Sequence, residues 1–178
     1  MIKGSHSVEI RNCEFNDIPD IAHIHVLSWK DTYRGLVPQD YLDGLSIEAR
    51  EKGWESIFRD ETSEDSNVLM AYVNNLPAGF ISFGQARDAT MKGRGEIYAI
   101  YLLKEFWSKG IGFLLFERAR ETLLKEGFSE CYLWVLDTNK NAIDSYSRWG
   151  GTLDGALSKN ENIGSQPIRE IVVRFSLV

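Results

Sequence analysis

The chain lacks several features that would have fixed its class at once. It has only two cysteines in 178 residues, Cys13 and Cys131, each in a stretch that reads as a strand. Two cysteines make no disulfide framework, so a reduced compartment is expected. No apolar run approaches the ~20 residues that a spanning helix needs, which argues against a membrane protein. The N-terminus has no apolar signal core, and the expected location is the cytoplasm. Positive charge is not in excess: 20 Lys and Arg stand against 26 Asp and Glu, a net charge of −6. That balance argues against nucleic acid as a main partner, because phosphate-rich ligands select basic surfaces. It is compatible with a cationic substrate. Metal ligands are also scarce. His23 and His25 lie two apart in one helical stretch, so they point to different faces and cannot share an ion; no metal site is expected.

The length, with 43% hydrophobic residues, suits one domain over 1–178 with a sizeable core. Hydrophobic periodicity orders it as strand, two helices, three strands, helix, strand, helix, two strands. Val8, Ile10 and Cys13 belong to the first strand. Asn16 or Asp17 is placed to cap the first helix, with Pro19 in its first turn. A second helical region is expected from Pro38 to about Asp60, followed by an acidic loop over 61–66. Asn74–Pro77 reads as a hairpin turn, residues 86–95 as a flexible link, and 158–167 as a polar loop. The mixture of helices with a central sheet gives an α/β or α+β class.

The stretch from Glu96 to Gly127 organises the rest. An apolar strand, Glu96 to Leu103, runs into Lys109-Gly110-Ile111-Gly112, which opens an amphipathic helix carrying Leu114, Leu115, Ala119 and Leu123. Free amides at a helix start, with the positive end of the helix dipole, favour a phosphate, and Lys109 adds a charge. This turn fits neither common nucleotide signature. Dinucleotide binding needs a third glycine where Leu115 stands, and no Gly-Lys-Ser/Thr follows for a P-loop.

Two motifs together carry a resemblance. Trp107-Ser108-Lys109-Gly110-Ile111-Gly112 is similar to the diphosphate turn Gln/Arg-x-x-Gly-x-Gly/Ala, with Trp107 replacing the usual Gln or Arg. Asn139, Ala142 and Tyr146, followed by Gly150, match Asn-x-x-Ala-x-x-x-Tyr. In this order of elements the chain resembles the GNAT superfamily of acetyl-CoA-dependent N-acetyltransferases over nearly its whole length. The resemblance implies a GNAT-like α/β (α+β) single domain. Its central sheet would be mixed, mostly antiparallel and six- to seven-stranded, splayed between the fourth and fifth strands and flanked by about four to five helices. It implies acetyl-CoA as cosubstrate, its pantetheine arm between Tyr101, Leu102 and Leu103 on one side and Asn139 on the other, and its diphosphate on residues 107–112. It also implies Tyr146 as general acid for the departing sulfur. Glu96, at the distance from Gly110 seen in histone-type members, is a candidate water-mediated base; a strand-end ion pair is its competing role.

His25, Trp29 and Tyr33 lie where first-helix residues border the acceptor in part of the superfamily; core packing is their alternative. The acceptor implied is a small-molecule amine or a peptide amine, and strands near the C-terminus would allow a homodimer. A non-catalytic acyl-CoA sensor is the alternative function, one that would not need Tyr146. Cys131 could serve as a covalent nucleophile, but no partner base is evident, and direct attack in a ternary complex is preferred.

Overall fold

A computed structural model describes residues 7–59 and 67–178. His6 and the acidic loop over 61–66 lie outside the described residues. The strands are β1 (Val8–Asn12), β2 (Asn67–Val73), β3 (Leu76–Gln85), β4 (Gly95–Leu102), β5 (Glu130–Leu136), β6 (Thr152–Ile163) and β7 (Gln166–Ser176). The helices are α1 (Ile18–Thr32), α2 (Gln39–Asp43), α3 (Ile47–Arg59), α4 (Ile111–Lys125) and α5 (Lys140–Arg148). All seven strands form one sheet in the order β1-β2-β3-β4-β5-β7-β6. Every pairing is antiparallel except β4 with β5. A parallel pair needs a crossover connection, and α4 supplies it.

The sheet buries apolar residues on both faces. Leu115, Phe116, Ala119 and Leu123 of α4 pack on Ile81, Phe83, Ile97, Leu133 and Val173. Ile18, Ile21, Ala22 and Ile24 of α1, with Trp54 of α3, cover Met70 and Phe80 on the other face. α4 ends as Gly127 and Phe128 donate their amides to Leu124 and Leu123, which satisfies its last carbonyls.

Several expected elements differ. The helical region after Pro38 is two helices, broken at Gly44. Asp17 stands at the N-cap of α1, but its carboxylate makes no capping bond. It is taken by Arg11, Tyr72 and the amide of Glu14. Residues 86–95 are not a loose link. A 3-10 turn at Ala89–Met91 buries Met91, and Ala86 donates to the Arg94 carbonyl. Residues 158–167 are not a loop either, but the outer end of a hairpin between β6 and β7. β6 begins in the stretch Thr152 to Leu157 that reads as a strand, but it is an exposed edge strand, and its outer half carries no alternation of apolar residues to betray it.

Candidate active site

The geometry begins with a bulge. Ser82 of β3 pairs with Ala99, and Phe83 pairs with Ile97, which leaves Tyr98 as an extra residue in β4. The parallel pairing of β4 with β5 stops at the same level, at Ile97 opposite Leu133. Beyond it no backbone pairing joins residues 98–102 to 134–136, and the strands part to leave a gap between them. Backbone direction in the gap follows from register. The Leu103 amide bonds back to Ala78 of the β3 strand, and Leu102 stands opposite Gly79. Peptide groups alternate along a strand, so the N–H and C=O of Leu102 point away from β3, into the gap. The Leu102 carbonyl receives the Trp107 indole N–H at 2.9 Å. Trp107 thereby ties the turn to the end of β4.

The turn is built to present amides. Ser108 and Gly110 both have positive φ, 58° and 81°. A side chain at such an angle is strained, so glycine at 110 is the unstrained choice. Leu114 is the first residue of α4 to donate to the preceding turn, at Gly110 O. Among the described residues, the amides from Ser108 to Phe113, Lys109, Ile111 and Gly112 included, donate to no backbone carbonyl. These free donors, at the start of a 15-residue helix, suit a diphosphate at the mouth of the gap. The residues present therefore fit coenzyme A.

α5 closes the other side. Asn139 caps it, its Oδ1 accepting from the Ala142 amide at 3.2 Å. Tyr146 packs edge-on against Trp149, which stacks on Phe116 of α4. Gly151 bonds back to the Tyr146 carbonyl, and a Cβ there would lie 2.5 Å from Val173. Burial and the neighbouring Tyr33 hold the Tyr146 phenol above its ordinary range. The Tyr33 and Tyr101 hydroxyls are 3.2 Å apart and hydrogen-bonded. Burial pushes Tyr101 up to about 12, and Tyr146 adds to the shift, so the three phenols lie within electrostatic reach of one another. Leu102, Leu103 and Tyr146 all pack against the α4-side core.

Other candidates fall elsewhere. Glu96 is buried in the paired part of β4, before the gap. Its Oε2 accepts the Arg87 amide at 2.8 Å and the Tyr132 hydroxyl at 2.9 Å, and the Arg87 guanidinium lies 3.4 Å from Oε1. His25 stacks on Tyr101 and contacts Trp54 and Phe80. Burial, then the charge of Arg50, lowers it to about 3, so the ring is neutral. Trp29 packs on Tyr33 with ring centroids 4.6 Å apart. Cys131 is fully buried, and burial pushes its thiol up to about 12, which leaves it without thiolate character.

Sequence reading passed over Tyr98, Trp107's structural bond and Glu170. Glu170 lies between Ile168 and Val172 in β7, both buried, and its charge in that inward phase was the available signal. Among the described residues no His, Cys, Asp and Glu group is placed to hold a metal, and no helix is long and apolar enough to cross a membrane.

Comparison with known proteins places the fold among its relatives. The Acetyltransferase (GNAT) family model matches residues 29–151. The uncharacterised N-acetyltransferase YuaI of Bacillus subtilis is 37% identical over 136 residues, 76% of each chain. A spermidine N(1)-acetyltransferase of Thermoplasma acidophilum is 28% identical over 146 residues, 81% of this chain and 88% of its own. The PaiA N-acetyltransferase of Thermoplasma acidophilum, solved in complex with coenzyme A, superposes with a TM-score of 0.75 at 25% identity, covering 96% of this chain and 99% of that one. A Salmonella typhimurium structure holding its cofactor acetyl-CoA has a TM-score of 0.69 at 17% identity over 96% and 94% of the two chains, and attests the fold.

Proposed function

The chain belongs to the GNAT family of acetyltransferases and is an N-acetyltransferase, and from that premise we propose that it transfers an acetyl group from acetyl-CoA to a primary amine by direct attack in a ternary complex. The observation that carries the reading is the parting of β4 and β5 beyond Ile97 and Leu133, with free amides at one end of the gap and a phenol at its side. Residues 107–112 hold the diphosphate. Tyr101, Leu102, Leu103 and Asn139 line the pantetheine arm. The acceptor enters from the α1 side, past Trp29 and Tyr33, with His25 as packing beneath Tyr101.

The steps follow from acidity. A primary amine, with a pKa near ~10.4, is protonated at neutral pH and must lose a proton before it attacks. Glu96 takes that proton through a water, its remaining lone pairs serving as acceptor. The nitrogen adds to the thioester carbon, and the Leu102 N–H, turned into the gap, stabilises the oxyanion. The C–S bond then breaks, the sulfur receives a proton from Tyr146, and the nitrogen sheds its second proton, which returns to the phenolate through water. Burial raises that phenol, while a thiol titrates near ~8.5, so the transfer is uphill unless it accompanies C–S cleavage. Tyr146 therefore donates a hydrogen bond that tightens as charge grows on sulfur, and the proton crosses late.

The acceptor class we favour is a polyamine-like cation. The spermidine-acetylating relative supports it, as does the carboxylate of Glu170, which stands opposite Leu136 in the cluster that holds Trp29 and Tyr33. A thiol-release assay with acetyl-CoA over a panel of amines, spermidine included, tests the activity. Tyr146→Phe is expected to lower kcat by ~10²-fold, the usual worth of a positioned acid, with calorimetric CoA affinity unchanged. Undiminished turnover in that variant would remove Tyr146 from the mechanism.

A further inference from the structure

Beside the transfer geometry, the hairpin of β6 and β7 holds a primary ammonium much as a ligand would be held. Lys159 Nζ lies 3.0 Å from Glu170 Oε2 and 3.1 Å from Glu161 Oε1. It also sits 4.8 Å from the centre of the Trp134 ring. An aromatic face with carboxylates at its rim attracts an alkyl ammonium by charge, hydrogen bonding and the ring quadrupole together. Glu170 is the cross-strand partner of both Leu136 and Lys159, which sets it on the same face as Trp134, two residues along β5. Leu136, opposite Glu170, packs in one cluster with Tyr33, whose hydroxyl is hydrogen-bonded to that of Tyr101. Those two phenols lie within electrostatic reach of Tyr146. The Tyr33–Tyr101 pair thus stands between the surroundings of Tyr146 and the strand that carries Glu170. Two carboxylates against one ammonium leave the Trp134 face negative. Lys159 stands on an edge strand with its side chain 36% exposed, so its flexible stem can turn out to solvent.

We propose that this place receives the second ammonium of a di- or polyamine acceptor, which lies against Glu170 and Trp134 in exchange for the ammonium of Lys159. The inference rests on the amine-acetylating activity proposed above. Replacing one ammonium by another leaves Glu170 paired throughout, so no buried charge is stranded during the exchange. Lys159 is then a specificity residue. It competes with acceptors that carry a distal charge and leaves monoamines alone.

The test compares butylamine with 1,4-diaminobutane and spermidine in wild type, Lys159→Met and Glu170→Gln. Lys159→Met should raise the diamine-to-monoamine ratio of kcat/KM by several-fold, through KM. Glu170→Gln should lower that ratio by ~10-fold, the scale of one charge-assisted hydrogen bond. Ratios unchanged in both variants, or equal losses with both amines, would overturn the proposal. Calorimetric titration of spermidine reads the same site without turnover: tighter in Lys159→Met, weaker in Glu170→Gln. A wild type that acetylates no amine would sink the activity, while this titration would still decide the cation site.

Discussion

Asp17 shows how a carboxylate can be claimed for structure. Arg11 bonds both of its oxygens, at 2.7 and 2.8 Å, and Tyr72 and the Glu14 amide bond it as well. The Arg11 hydrogen bond is the leading reason that its pKa falls to about 2. The unfolded value is near ~3.9, so the folded state gains stability that is complete above that pH and is lost as pH falls toward about 2. Allowing for solvent around Arg11, the gain is on the order of 1–2 kcal/mol. Urea unfolding of Asp17→Asn should show that deficit at pH 7 and a much smaller one at pH 2.5; an equal deficit at both would contradict the assignment. Asp17 also marks a limit of sequence reading. Its type and place suggested a helix cap, but its hydroxyl partner Tyr72 is 55 residues away. Glu96 is a parallel case, because Tyr132, 36 residues on, comes beside it only when β4 and β5 pair.

At the level of elements, the turn over 107–112 was the most legible part. Its glycines and the helix behind it were plain in the sequence, because the αL residue and the amphipathic period are local properties. Open space surrounds the position of a Cβ at 110, so Gly110→Glu is expected to fold at a cost of ~1–3 kcal/mol for the strained φ. It should nonetheless lose CoA affinity by ~10²-fold or more, since its charge opposes the diphosphate across a short distance. Calorimetry giving wild-type affinity would move the diphosphate elsewhere. What the motif did not disclose was Trp107. In place of a polar contact to the ligand, its indole N–H holds the Leu102 carbonyl. The outer end of the hairpin of β6 and β7 was the least legible stretch. Its exposed edge strand is polar at most positions, and burial is what gives strands their pattern.

Across the whole molecule, two blocks of sheet, β1–β4 and β5–β7, meet through only three register pairs, Gly95–Cys131, Glu96–Tyr132 and Ile97–Leu133. A ligand in the gap would bridge the blocks where backbone bonds do not. Coenzyme A at ~100 times its Kd should add about 2.7 kcal/mol of stability, or roughly 5–10 °C in Tm. Scanning calorimetry measures the shift. Hydrogen exchange should then show new protection at residues 98–103 and 108–113, with little change in β1 and β2. Protection gained evenly over the sheet would argue that the ligand binds outside the gap.

The sequence by itself determined most of the elements, the glycine turn at the start of α4 and the family, because these depend on local periodicity, on glycine's freedom and on motifs within one element. Only the tertiary structure decided where the pairing of β4 with β5 ends, which amide of β4 faces away from β3, and which charges meet beside Trp134. The bulge at Tyr98, the meeting of Tyr33 with Tyr101, and the capture of Lys159 by Glu170 are pairings between distant segments. Register fixes such pairings, and register is a property of strands side by side rather than of any one strand.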